Sequence, residues 1–325
     1  MSWEESALMH CFNCLSKKKP VPLYLSYDRM HKIAGDFLIQ QCPTCKLLSV
    51  SPHLNTQQLS FYYPSSSYYS YFDSGSSVLR KLRSYLIYRF YHPTVFSKIL
   101  FLFVNTIPAI PKMKIHGKLM DVGCGNGETL RILKKHGWDV YGVDIDEAAV
   151  RYAKKSGLMH VQKGTHESLS RYPDNFFDVI RAYHVIEHMD SPEKFVKLAF
   201  QKLQRGGELI IGTPNGMSLT SRVFGSCWYN LDTPRHQYIF SPSNLKKMLY
   251  RMRFRVTDLQ FSSGGGFLGS IQYFLSDRFG WKFQLIHSTA LFFLFYPLDF
   301  VTDKMHMGDV FVMSARKSMH KTQNG

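Results

Sequence analysis

Four cysteines stand in two C-x-x-C pairs, Cys11/Cys14 and Cys42/Cys45. Each pair can sit on a tight knuckle, and two knuckles offer four thiolates in the tetrahedral arrangement zinc takes. The 27 residues between the pairs exceed the usual span of roughly 15–20, so the insert must loop out as a small hairpin. Redox use would need one pair beside a strand–helix–strand unit, which is absent; four buried free thiols are the alternative. His10 and His31 are spare ligands. A second constellation, His184-x-x-Glu187-His188, has the spacing of the inverted zinc-protease pattern, which needs all three residues on a helix. Here the motif follows an apolar strand pattern and precedes the helix start at Ser191, so it lies in a loop and a protease is excluded. Either one of the three residues is a general base, or Glu187 and His188 orient the loop through hydrogen bonds. A third group is Asp232, Arg235 and His236. Arginine suits bidentate contact with phosphate or carboxylate; the alternative is an Asp232–Arg235 pair that braces its own loop.

The run Asp121-Val-Gly123-Cys-Gly125-Asn-Gly127 is a fourth candidate. Glycines let a chain turn tightly and approach a ligand closely. The dinucleotide fingerprint asks for a further glycine where Glu128 stands, and that carboxylate would oppose a pyrophosphate at the helix start. A cofactor with a ribose but no phosphate fits better. Asp144, 23 residues after Asp121, is placed to accept both ribose hydroxyls.

The elements that must position these groups alternate along residues 113–212. Strands are expected at Lys118–Val122, Asp139–Ile145, His160–Lys163, Phe177–Ala182 and Glu208–Gly212. Helices are expected at Glu128–His136, at Glu147–Lys155 after an Asp146 cap, and from Ser191-Pro192-Glu193 to about Leu203. Such alternation implies a parallel sheet with right-handed crossovers, binding ligands beyond the carboxyl ends of its strands. Two late strands are expected at Phe254–Phe261 and Asp309–Ala315.

Charge is uneven across the 325 residues. Residues 1–112 hold 12 basic and 5 acidic side chains, residues 113–212 hold 15 and 13, and residues 213–325 hold 13 and 6. A near-neutral middle between basic flanks argues for an anionic partner: nucleic acid, an anionic lipid surface or a phosphorylated substrate. The acidic start of the sequence has no apolar run and does not read as a secretory signal. The longest uncharged hydrophobic stretch, Phe283 to Leu298, has 16 residues, short of the roughly 20 a spanning helix needs. Metal-type cysteine pairs point to a reducing cytoplasm. Arg80 to Tyr91 reads as a basic amphipathic helix, and residues 266–301 form an apolar insert. Both are packed helices or a lid, or else a surface for peripheral contact at the inner face of a membrane.

Four segments resemble class I S-adenosylmethionine-dependent methyltransferases: LMDVGCGNG from Leu119 to Gly127, Gly142-Val-Asp144, Phe177-Asp178, and GGELIIGTPN from Gly206 to Asn215. The resemblance implies that Gly123, Gly125 and Gly127 line the methionine moiety, with Asp121 near its amino group and Asp144 on the ribose. It implies adenine contacts from the loop holding Thr165 and His166. The two cysteine pairs, a Tyr-rich stretch, the His184–His188 motif and Asp232-Thr-Pro-Arg235-His236 are similar to a bacterial subgroup often encoded with enzymes of surface-polysaccharide or lipid-linked glycan synthesis.

The expected fold is therefore α/β, a Rossmann-like seven-stranded sheet with an N-terminal zinc-binding module and helical insertions. The expected divisions are a zinc module at 1–55, a helical linker or lid at 56–112, and a methyltransferase domain at 113–325 with insertions at about 213–245 and 266–308. The expected reaction is methyl transfer from S-adenosylmethionine to a hydroxyl of a sugar or lipid-linked saccharide. Arg235 and His236 are expected to face the acceptor pocket, which Trp228, Tyr229, Tyr238 and Phe240 would wall. An RNA acceptor is the less favoured alternative, and a non-catalytic binding module at a membrane or assembly is the alternative of another class.

Overall fold

A computed structural model describes residues 11–63, 77–103, 109–112, 114–282 and 284–318. His10 and most of the Tyr-rich stretch lie outside the described residues. The strands are β1 Val21–Tyr27, β2 Asp36–Gln41, β3 Leu48–Ser51, β4 Lys118–Val122, β5 Asp139–Asp144, β6 Val161–Lys163, β7 Phe177–Tyr183, β8 Leu203–Pro214, β9 Tyr238–Ile239, β10 Phe254–Ser262 and β11 Val310–Lys317. The helices are α1 Thr56–Ser60, α2 Ser77–Tyr91, α3 Val95–Phe103, α4 Glu128–Lys135, α5 Glu147–Lys155, α6 Pro192–Lys202, α7 Leu219–Phe224, α8 Pro242–Arg251, α9 Gly266–Phe279 and α10 Thr289–Lys304.

Seven strands form one Rossmann-like sheet in the order β10-β11-β8-β7-β4-β5-β6. Strands β4 to β8 are parallel, as alternation with helices requires. The sheet is mixed rather than wholly parallel, because β11 runs antiparallel to both β8 and β10. From β4 the chain goes to β5 on one side and later to β7 on the other, so order reverses beside β4. Ligand crevices form at that reversal.

Side chains alternate across the strands and divide the core by face. Leu119, Val179, Ile210 and Val312 pack with Leu130 and Leu133 of α4 and Val150 of α5. Their neighbours Met120, Ile180, Leu209 and Phe311 pack on the other face with Phe195 of α6 and Leu245 of α8. Each such side chain, fully buried, contributes about 1.5–3 kcal/mol. Local signals agree with the packing. Asp146 caps α5 by accepting from the N–H groups of Ala148 and Ala149, and Ser241 closes a capping box on α8. Ser191 occupies the cap position of α6, but its side chain makes no capping bond.

The insert between the cysteine pairs loops out as the antiparallel β1–β2 hairpin. It does not stand apart from the rest. β9, from the segment after β8, pairs with β3 and completes a second sheet in the order β1-β2-β3-β9. Cys42, Cys45 and Leu47 share a core with Tyr238 and Phe240.

Candidate active site

The turn after β4 needs its glycines. Gly123 has φ +72°, and a Cβ there would stand 2.3 Å from Cγ2 of Val185. Val185 belongs to the loop after β7, so the two loops touch. Gly127 starts α4 in the left-handed region, with φ +76°. The Gly125 N–H donates to Oδ2 of Asp144 at 2.6 Å, and the Asp146 N–H donates to Oδ1 at 2.9 Å. Asp144 is buried there, which pushes its carboxyl pKa up. A carboxylate fixed against a glycine turn retains lone pairs for two ribose hydroxyls, so these residues fit the cofactor the resemblance implies. The next loop is tied to the same place, because the Gly164 N–H donates to the main-chain oxygen of Asp144. Thr165 caps the short turn His166–Arg171, and the His166 ring meets Phe195 edge-on.

Asp121 has a partner the sequence did not reveal. Nη1 of Arg181 reaches both carboxylate oxygens, at 2.6 and 2.7 Å, and Nε of Arg181 donates to the main-chain oxygen of Ala109. The pair is buried and ties β4 to β7 beneath the glycine turn.

At the end of β7, His184 adopts φ +55°, a region few residues other than glycine visit. Its Nδ1 lies 3.1 Å from Oε1 of Glu187. Glu187 is 0% exposed, and its Oε2 accepts from the Thr213 hydroxyl at 2.9 Å. Burial pushes this carboxyl up, but the hydrogen bond from His184, and the charges of His184, His188 and His236 when these rings are protonated, bring its pKa down to about 2. An ionised carboxylate accepts only, so Nδ1 of His184 is the donor and Nε2 carries a lone pair. The same reasoning fixes two more rings. Nδ1 of His188 lies 3.0 Å from the main-chain oxygen of Arg235 and 2.9 Å from the Tyr63 hydroxyl. Nδ1 of His236 lies 2.9 Å from the main-chain oxygen of Asn230. Carbonyls only accept, which leaves Nε2 of each ring as the basic nitrogen.

The structure thus joins His236 to the His184–His188 loop: its Nε2 is 4.0 Å from Glu187 and 3.8 Å from Asp232, and its ring centroid is 4.7 Å from that of His188. Arg235 and Asp232 do not take the expected part. The Arg235 side chain is 2% exposed. Its Nε and Nη2 bond Asp232, Nη2 also bonds Asp28 at 2.8 Å, and Nη1 donates to the main-chain oxygen of Tyr62. The expectation of an anion-binding fork is corrected to a buried brace between the β9 segment and the β1–β2 turn. The aromatic walls are corrected too. Trp228, Tyr238 and Phe240 are core residues, and the Trp228 indole donates to Asp309. Tyr63, which the sequence did not single out, is the aromatic side chain that meets His188.

The four cysteines converge. Sγ of Cys11 lies 3.7 Å from that of Cys45, and Sγ of Cys14 lies 3.6 Å from that of Cys42. Tetrahedral zinc with bonds of about 2.3 Å sets its sulfurs about 3.8 Å apart. The knuckles match: Leu15 and Lys46 both take positive φ and return their N–H groups to the main-chain oxygens of Cys11 and Cys42. These residues fit zinc. His31 is not among them; its N–H caps Asp28 in the β1–β2 turn. Among the described residues, Glu187, His188 and His236 are the other set whose ligand atoms converge, all within 4.8 Å of one another.

A methyltransferase-domain family matches residues 88–259, more than half of the chain. The chain is 29% identical over 144 residues to the ubiquinone biosynthesis O-methyltransferase of Idiomarina loihiensis, covering 40% of this chain and 58% of that protein. It is 29% identical over 155 residues to the protein of the same name from Psychrobacter cryohalolentis, covering 44% and 60%. The match thus spans about three fifths of the length of these relatives. A solved structure of a SAM dependent methyltransferase from Archaeoglobus fulgidus is similar at 21% identity, covering 72% of this chain and 99% of that one, with a TM-score of 0.46.

Proposed function

The chain belongs to this methyltransferase-domain family, and we propose that it transfers the methyl group of S-adenosylmethionine to a hydroxyl of a small amphiphilic acceptor. The observation that carries the reading is the contact of the glycine turn with the loop bearing the Glu187–His184 pair, through Gly123 and Val185. The cofactor would lie along Gly123 to Gly127 with its ribose on Asp144. His184 is the general base. The acceptor hydroxyl gives its proton to Nε2 of His184, and the oxygen pair bonds the methyl carbon. When bound, S-adenosylmethionine would supply the methyl group and keep the electrons of the broken carbon–sulfur bond on sulfur, leaving neutral S-adenosylhomocysteine. Ionised Glu187 steadies the imidazolium until it releases the proton to water. Zinc at the four cysteines would have a structural role, fixing the β1–β2 hairpin whose turn holds Arg235.

The acceptor we favour is a lipid-linked saccharide. Helix α10 supports an amphiphile. Its polar residues face inward, with Asp299 1% exposed and Thr302 and Asp303 also buried. Its apolar residues face out, with Phe293 64%, Leu294 70%, Leu298 50% and Val301 51% exposed. Such a face suits the boundary of a bilayer, and nearby Arg278, Lys282 and Lys304 suit anionic headgroups. No helix among the described residues is long and apolar enough to cross a membrane. The names of the two curated relatives favour a second acceptor of similar build, a phenolic hydroxyl on a lipid-tailed ring.

Protein given S-adenosylmethionine with a labelled methyl group tests the reading, with a lipid-linked saccharide, a lipid-tailed phenol and an RNA offered separately. Label in a methyl ether of the saccharide, formed with equal S-adenosylhomocysteine, is the expected result. Label in the phenol alone would move the acceptor to the second reading. Label in RNA alone, or none, would overturn the proposal.

A further inference from the structure

We propose that Glu187, His188 and His236 bind a divalent first-row metal ion, at a site separate from the four cysteines. Three features carry this. The ligand atoms of the three residues lie within 4.8 Å of one another, so small side-chain shifts bring them to bonding distance of one ion. Both rings donate Nδ1–H to main-chain oxygens, of Arg235 for His188 and of Asn230 for His236. Metal-bound histidines characteristically show this pattern, because the outer hydrogen bond fixes the ring and presents a basic Nε2. The carboxylate is held in the same way. Its oxygens accept from His184 and from Thr213, and each keeps a second lone pair for an ion.

Two imidazoles and one carboxylate suit ions such as Co2+, Zn2+ or Mn2+, and three protein ligands leave positions open for other oxygens. His188 is only partly buried, and its loop touches the glycine turn. An acceptor hydroxyl could therefore fill an open position. Bound to the ion it would lose its proton more readily, to Nε2 of His184, before its oxygen attacks the methyl carbon. That role rests on the proposed methyl transfer, whereas ion binding itself does not. Asp232 adds negative charge 3.8 Å from His236. The Arg235 brace also gains a purpose, since it fixes the main-chain oxygen that orients His188.

The test uses the full chain with its cysteine-bound metal in place, and Co2+ as the probe. One equivalent of Co2+ should bind with visible d–d absorption and without the thiolate-to-cobalt charge transfer of a cysteine site. His236→Ala and Glu187→Gln should each weaken that band's titration at least tenfold, while S-adenosylmethionine binding by calorimetry is retained. Retained cofactor binding also shows that each variant is folded. No such band in wild-type protein that binds the cofactor would overturn the metal site and leave the methyltransferase reading standing. A band unchanged in both variants would overturn the assignment to these residues.

Discussion

The main-chain oxygen of Arg235 lies 3.0 Å from Nδ1 of His188, while the guanidinium of the same arginine reaches Asp28 at 2.8 Å. One residue thus sets the ring of a candidate site histidine and anchors the turn between β1 and β2. Site geometry and the docking of the cysteine-bearing hairpin are mechanically linked.

Loss of that anchor is expected to act first on stability. Arg235→Ala would leave the buried Asp28 and the partly buried Asp232 without their cation. Removing one partner of a buried ion pair typically costs about 3–5 kcal/mol. Chemical denaturation should show a loss of that order. Arg235→Lys should rescue poorly, because a point charge cannot reproduce the planar fork. A loss below about 1 kcal/mol for Arg235→Ala would contradict the bracing role.

The cysteine cluster makes a compositional prediction. Purified His236→Ala protein, in which the second site is disabled, should carry one zinc per chain by elemental analysis, and adding Cys42→Ser should remove it. The β1–β2 hairpin should then become sensitive to proteolysis, while the glycine turn still binds its ligand. Zinc retained at full stoichiometry after Cys42→Ser is added to His236→Ala would argue against the four-thiolate site.

Helix α10 should mediate binding to anionic vesicles. Phe293→Ser with Leu294→Ser removes apolar groups that touch water rather than core, so folding should be little changed. Sedimentation with phosphatidylglycerol vesicles at low salt should fall severalfold in the double variant. Binding that is equal to neutral and anionic vesicles, or equal in the two proteins, would refute the surface assigned.

The same helix carries a pH dependence. Burial raises the Asp299 carboxyl to about 7, with the Asp309 and Asp303 charges adding to the effect while the Gly265 N–H opposes it. A raised carboxyl stabilises the fold fully below its unfolded value near 3.8, and the contribution fades as pH climbs through about 7. At about 1.36 kcal/mol per unit, a few kcal/mol are at stake. Asp299→Asn should therefore melt above the wild type at pH 8, with the difference shrinking toward pH 4. A wild type equally stable relative to the variant at both pH values would count against this.

How much of this was legible in sequence depended on distance along the chain. The strand, glycine turn and helix from Lys118 to Lys135 are contiguous, and Asp144 follows at the end of the next strand, so local pattern located all of them. The cysteine knuckles were legible for the same reason. The Arg235–Asp28 pair joins residues 207 positions apart, and nothing near either residue marks the other. β9 is two residues long, too short for any periodicity, yet its pairing with β3 brings the cysteine module against the site. Tyr63 was hidden among many tyrosines, and Arg181 reads locally as a stray charge in an apolar strand. Helix α10 was seen as apolar, but which side faced water was set by Asp299 and Asp303 finding partners inside.

Calorimetric titration with S-adenosylmethionine tests the central claim most directly. One molecule should bind per chain, and Asp144→Ala should bind it roughly ten- to a hundredfold more weakly, since hydrogen bonds to a charged group contribute about 1.5–3 kcal/mol. Wild-type protein that is folded yet gives no binding heat at any temperature tried would contradict the account.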